Sequence, residues 1–217
     1  MRKLSIIIAC LVIATLFGGA ELYSQEVYID QVRTGQQSAD AEDISIEDMD
    51  RTDAEQHVLD LFDSDTAIRE RLKTFLSRGE GASGSFGAIM QEGDTNVSSI
   101  VQRGVGNIGV SVQRGHENIA DLLQEGDRNL TYILQQGNGN EFNAQLIGNE
   151  NILGVEQIGN NNTYEMNFEQ GSNEPLQHRV VQEGNNLSLS QTGISTTGPA
   201  SVVQRGEGMD LRIEHNQ

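Results

Sequence analysis

The sequence predicts an all-β fold: a two-strand-per-rung β-solenoid of cross-β, amyloid type, preceded by a signal peptide and a short acidic, partly helical segment. Three observations predict it. A short pattern, Gln-x-Gly-x-x-Asn, recurs at a step of eleven residues between Ser85 and Phe168, which marks a stack of equivalent units. One face of the stretches between turns carries no charge. The chain has no Trp, four Tyr and six Phe but 24 Gly. That composition suits hydrogen-bonded ladders around a thin apolar core better than an ordinary globular interior.

The first four copies are Gln91/Gly93/Asn96, Gln102/Gly104/Asn107, Gln113/Gly115/Asn118 and Gln124/Gly126/Asn129. Two more follow at Gln135/Gly137/Asn140 and Gln157/Gly159/Asn162, and between them Gly148 and Asn151 keep their places while Leu146 replaces the Gln. Side chains alternate along a strand, so each Asn, the residues two and four after it, and the next Gln share a face. The intervening pairs are Ser98/Ile100, Gly109/Ser111, Ala120/Leu122, Thr131/Ile133, Phe142/Ala144, Leu153/Val155 and Tyr164/Met166, with no charge among them. Asp121, Glu141, Glu156 and Glu165 lie on the other face. The amide face is therefore the inside.

A buried amide must be hydrogen-bonded or it costs free energy. Stacking like on like meets that need, each Asn or Gln bonding its equivalent one rung away. The Gly permits the turn, and the polar pair before each Asn suits an exposed bend. Two units make a rung. An antiparallel meander is the alternative, but it does not require near-identical units as a stack does.

Outside, one sheet would show Ile108, Val110, Val112, Leu130, Tyr132, Leu134 and Ile152. An apolar patch of that kind marks a contact surface, for a second fibril laterally or for the segment before the repeats. The other sheet begins with Val97, Val101, Ile119 and Leu123 and turns polar beyond Glu141.

The chain divides into residues 1–24, 25–84, 85–168 and 169–217. Arg2 and Lys3 precede an apolar run from Leu4 to Phe17 and small residues Gly18, Gly19 and Ala20, the layout of a secretory signal peptide. Cleavage after Ala20 and after Ser24 are both compatible with it. Cys10 sits in a lipoprotein-like box, but only about five apolar residues precede it, against the ~7–15 of an export signal. Without lipidation the single Cys leaves with the leader, and the mature chain has no disulfide.

Between Glu26 and Glu80 there are fifteen acidic and six basic residues, and no eleven-residue pattern. The run from Asp40 to Asp53 reads as solvated charge. It lacks the Gly and distal Glu of a calcium loop. Thr52 and Glu55 form a capping-box pattern for a helix with Val58, Leu59, Leu61 and Phe62. A second helix starts near Ser64 or Asp65, carries Ile68, Leu72, Phe75 and Leu76 on one face, and stops before Gly79. This hairpin either covers the repeats or acts as an address for a secretion partner.

After Phe168 the step slips. Pro175 implies a bulged loop, and the pattern resumes at Gln182/Gly184, Gln191/Gly193 and Gln204/Gly206. The last strand, Met209 to His215, places Leu211 and Ile213 inward and Asp210, Arg212 and Glu214 outward. It is a cap or an attachment end.

The motif Ser85-x5-Gln91-x4-Asn96-x5-Gln102 resembles the repeat of curlins, the subunits of bacterial curli amyloid. Later copies carry Asn for the leading Ser. The resemblance covers residues 85–217, closely to 168 and more loosely beyond. It implies a subunit exported through the periplasm that passes an outer-membrane pore unfolded. It also implies polymerisation with itself and a sister subunit into an extracellular fibre of the biofilm matrix. Gln91, Asn96, Gln102, Asn107, Gln113, Asn118, Gln124, Asn129, Gln135, Asn140, Gln157 and Asn162 match the family's ladder positions. The long acidic segment departs from the short curlin leader.

The net charge of −18 excludes nucleic acid, whose binding depends on clustered Lys and Arg. His57, His116, His178 and His215 lack metal-ligand spacing, and no Gly-Lys-Ser/Thr phosphate loop exists. No cofactor, small-molecule substrate or catalytic residue is implied. Two functions follow: a polymerising fibre subunit, main or nucleating, and a monomeric capped solenoid acting as a surface adhesin.

Overall fold

The computed structural model describes residues 24–32, 51–62, 66–77, 84–170, 175–193 and 200–214. From Gly84 the chain alternates between two sheets, because each Gly-containing turn reverses it and the next apolar alternation makes a strand. The first sheet receives β2 (Gly84–Glu92), β4 (Ile108–His116), β6 (Leu130–Asn138), β8 (Ile152–Asn160), β10 (Gln177–Asn185) and β12 (Ala200–Glu207). The second receives β3 (Val97–Arg103), β5 (Ile119–Glu125), β7 (Glu141–Ile147), β9 (Thr163–Glu169), β11 (Ser188–Thr192) and β13 (Asp210–Glu214). Neighbours within each sheet are parallel, and Gln91, Gln113, Gln135, Gln157, Gln182 and Gln204 stand in one column. This is the solenoid, since a meander would give antiparallel ladders.

One strand was not expected. β1 (Ser24–Val32) lies beside β2 in the first sheet, parallel to it, with Gln25 opposite Ser85 and Gln31 opposite Gln91. The spacing Gln25-x5-Gln31 repeats that of Ser85-x5-Gln91, but Arg33 stands where the turn glycine would be. Without that glycine the copy carries no turn signature. Among the described residues the first sheet thus has seven strands and the second six.

Two helices follow β1 in the chain, α1 (Arg51–Leu61) and α2 (Thr66–Leu76). The helix begins one residue before the expected cap, so Thr52 lies inside its first turn, and Glu55 accepts from Arg51 Nε at 2.8 Å. Ala54, Val58 and Phe62 from one side of the hairpin and Ile68, Leu72 and Phe75 from the other are buried against the first sheet. The interior between the sheets is a separate cluster that includes Leu122, Ile133, Phe142, Leu153, Val155, Tyr164, Met166 and Phe168.

The slip after Phe168 is a three-residue insertion. Leu130 stands opposite Ile152, a step of 22, but Ile152 stands opposite Gln177, a step of 25. Leu176 takes the column of Asn151, its N–H donating to Asn151 Oδ1 at 2.7 Å. Gln191, expected to resume the Gln column, instead pairs with Met166 and Ile213. Leu187 occupies the preceding Asn place, where its N–H meets Asn162 Oδ1 at 3.1 Å. Residues 1–23 of the expected leader 1–24, the acidic run 40–50, Ser64 and Asp65 at the expected start of the second helix, Gly79, Asn173, Glu174, Thr196 to Pro199 and His215 lie outside the described residues.

Candidate functional site

The interior of the solenoid is two pairs of amide columns. In the first sheet the Gln column is continuous: Gln91 Nε2 donates to Gln113 Oε1 at 2.6 Å, and the Gln113–Gln135, Gln135–Gln157, Gln157–Gln182 and Gln182–Gln204 links follow at 2.8–2.9 Å. Gln113, Gln135, Gln157 and Gln182 are fully buried, so each bond replaces water that no longer reaches the amide. In the second sheet only Gln102 to Gln124 is linked, at 2.8 Å. Leu146 and then Phe168 take the next places, and Gln124 Nε2 turns to Thr131 Oγ1 at 2.8 Å.

The Asn columns run at the opposite end of each strand. Asn118 bonds Asn96 and Asn140 bonds Asn118, each at 3.1 Å. Asn129 bonds Asn107 at 3.1 Å, and Asn151 bonds Asn129 at 2.9 Å. Each also reaches the glycine carbonyl of the adjoining coil: Asn96 to Gly115, Asn107 to Gly126, Asn118 to Gly137, Asn129 to Gly148 and Asn140 to Gly159, at 2.8–2.9 Å. Asn162 reaches Gly184 at 3.0 Å. Ser85 stands in the place of Asn, its Oγ accepting from Asn107 N–H at 3.3 Å and donating to Gly104 at 3.2 Å. Gly93, Gly104, Gly115, Gly126, Gly137, Gly148 and Gly159 all have φ between 109° and 139°. The columns thus lock turn to turn as well as strand to strand.

Ile108, Val110, Val112, Leu130, Tyr132, Leu134 and Ile152 all face the helical hairpin and are buried beneath it. On the second sheet Val97, Val101 and Ile119 are uncovered, 40–55% exposed. Val97 and Val101 lie on β3 and Ile119 on β5, and among the described residues β3 pairs with β5 alone.

A buried polar cluster under the hairpin escaped the sequence reading. Glu156 was placed on an outer face, and it is outward from the sheet, yet α1 covers it. Arg179 Nη2 lies 2.8 Å from Glu156, and both are about 95% buried. The ring of His57 tilts against that of Tyr132 with centroids 4.6 Å apart, and His57 Nε2 is 3.9 Å from Glu156. Burial works against the Arg179 charge, but Glu156 and Tyr132 outweigh it and hold the guanidinium pKa above its ordinary value. Burial, aided by Glu156, raises the Tyr132 phenol. The one available signal was an acid and a base on a face otherwise apolar and one coil apart.

Burial is the largest influence on His57 too and lowers its pKa below 6.5, with Arg179 acting in the same direction and Glu156 and Asp60 against. A lowered pKa means that the unfolded or undocked state takes the proton first. The stabilisation from neutral His57 is therefore complete above pH 6.5 and is lost as the pH falls through 6.5 toward the lowered value. Proteolysis of the hairpin should accelerate on acidification across that window. A His57→Phe variant, which keeps the ring contact, should lose that part of the pH dependence.

Of the other histidines among the described residues, neither takes part. His116 is exposed beside Asp94, and His178 is buried between the sheets with Nε2 2.8 Å from Gln191 Oε1. Among the described residues no three His, Cys, Asp or Glu side chains gather as a metal site, and no helix is long and apolar enough to cross a membrane. Surface ion pairs join coils: Glu92–Arg114 at 3.6 Å, Glu183–Arg205 at 3.0 Å, Arg103–Glu125 and Arg128–Glu150. Singly they contribute little.

Fold and interior together define a stacked-repeat protein: a parallel two-sheet solenoid whose coils are joined by amide columns. The particular repeat is then identified by comparison: the family model of the curlin associated repeat matches residues 115–145, so that stretch is similar to a curlin repeat. No curated protein and no solved structure matches it.

Proposed function

We propose that this chain is a curli-like fibre subunit that is exported and adds copy to copy at the cell surface, building an adhesive biofilm matrix. The observation that carries the reading is the unbroken Gln column from Gln91 to Gln204, which reaches the edge strand β12 at its C-terminal end and has Gln31 of β1 opposite Gln91 at the other. A column of this kind repeats the same bond in every coil. Nothing in its geometry limits it to one chain. The role is structural rather than catalytic, as for curlins generally. Partners on this reading are further copies, a sister curlin subunit and an outer-membrane secretion pore.

Purified chain at neutral pH should form fibres that bind an amyloid dye and diffract at about 4.8 Å along the fibre axis. Seeding by, and of, a sister subunit then separates a main subunit from a nucleator. A second reading, a monomeric surface adhesin, is favoured by the covered first sheet and by exposed Asp210, Arg212 and Glu214 on the last strand, which discourage edge pairing. A chain that stays monomeric for days without cross-β diffraction would establish it.

A further inference from the structure

The two ends of the solenoid differ. At the C-terminal end β12 and β13 are the halves of one coil and close the two sheets together. At the N-terminal end, among the described residues, the first sheet closes on β1, while the second closes on β3, which belongs to the same coil as β2. The edges there are out of step by one strand, or ~4.8 Å. A second copy arriving with its β13 on β3 would bring its β12 to the edge of β2, where β1 already lies along nine residues. Arriving instead with its β12 on β1, it would leave its β13 one strand spacing short of β3, and a ladder bond of about 2.9 Å cannot bridge that gap.

We propose that β1 is a built-in blocking strand: it holds, within one chain, the β2 edge that β12 of a second copy takes, and one copy adds to another only after β1 leaves. The proposal rests on the self-assembly reading above and adds its regulation. The edge beneath β1 fits β12 in detail. Extending the register by one coil sets Gln204 against Gln91, Arg205 against Glu92 and Gly206 against Gly93, as Gln182, Glu183 and Gly184 meet those same β12 residues within the chain. The polarity also matches. Every link has a Gln Nε2 donating toward the C-terminal coil, so Gln204 Nε2 meets Gln91 Oε1. Arg205, which holds Glu183 at 3.0 Å on one side, meets Glu92 on the other. In the second sheet Leu211 and Ile213 continue the columns of Ser98 and Ile100.

The test locks β1 reversibly. Val32 stands opposite Glu92 at the strand ends, within reach of a disulfide. The full chain carrying C10S, V32C and E92C is added, oxidised or reduced, to fibre seeds of the C10S parent, and growth is followed by dye binding. Oxidised chain should elongate roughly tenfold more slowly or worse than the same chain reduced, since half of its ladder is withheld; loss of the Arg205 contact through E92C affects both arms alike. A second variant, Tyr28→Pro with Ile29→Pro, removes a β1 donor whichever residue faces β2, and should lengthen fibres several-fold faster. Equal rates for oxidised and reduced chain, or no acceleration by the proline pair, would overturn the blocking role while leaving self-assembly standing. A C10S parent and a C10S proline-pair chain that both form no fibres would overturn both.

Discussion

A Gly137→Ala chain should be less stable than the wild type by about 3–5 kcal/mol, the sum of a strained backbone and a forced overlap. Gly137 has φ 114°, which side-chain-bearing residues rarely adopt, and an added Cβ would overlap the carbonyl oxygen of Gly159 one coil away. That neighbour is backbone and cannot rotate aside. Moving the turn would also stretch the 2.8 Å bond from Asn118 Nδ2 to Gly137 O. The control is Gly139→Asn. Gly139 has φ 64°, and the column position it shares is filled by Asn161 at φ 55° and Glu117 at φ 58°. Since Asn adopts the left-handed region readily, that change should stay within about 1 kcal/mol. Denaturant unfolding of the monomer measures both. Similar losses at 137 and 139 would mean that the turn columns do not stack as described.

The contrast between these two glycines shows what was legible in the sequence. The repeat, its inward face and its turn glycines follow from spacing alone, because a parallel stack puts equal residues in one column and any interior amide must then find its own kind. Leu146 and Phe168 were visible as breaks for the same reason. Less legible was anything that depends on a single occurrence. β1 has the ladder spacing but Arg33 in place of a glycine, so it reads as part of the acidic segment. Gln191 and Gly193 have the Gln-x-Gly spacing yet sit two residues early in the strand, because Gln191 follows Gln182 by nine residues rather than eleven. Spacing counts residues along the chain, and an inserted loop changes that count without changing the columns. Likewise the outward side of Glu156 was readable, but not its cover. Which surface the hairpin meets is a matter of tertiary packing between two segments that share no period.

That cover makes Arg179→Met the other large effect. The salt bridge to Glu156 lies under α1, where neither side chain is more than about 5% exposed. Removing the guanidinium leaves a carboxylate buried without its counter-charge, which costs on the order of 3–5 kcal/mol. The loss should appear where the cluster is. Amides of α1 and α2 should exchange hydrogen faster, while those of β7 and β9, on the far sheet, should keep their protection. Replacing both partners, Glu156→Gln with Arg179→Met, removes the orphaned charge and should recover most of the stability, because a neutral pair needs no compensation in a dry interface. If Arg179→Met alone leaves hairpin exchange unchanged, the hairpin is held by its apolar contacts with Val110, Leu130 and Leu134 and the ion pair is incidental. If the double variant is as loose as the single one, the pair contributes net attraction beyond mutual neutralisation. Either result decides whether the hairpin is fastened to the first sheet at this point or only rests on it.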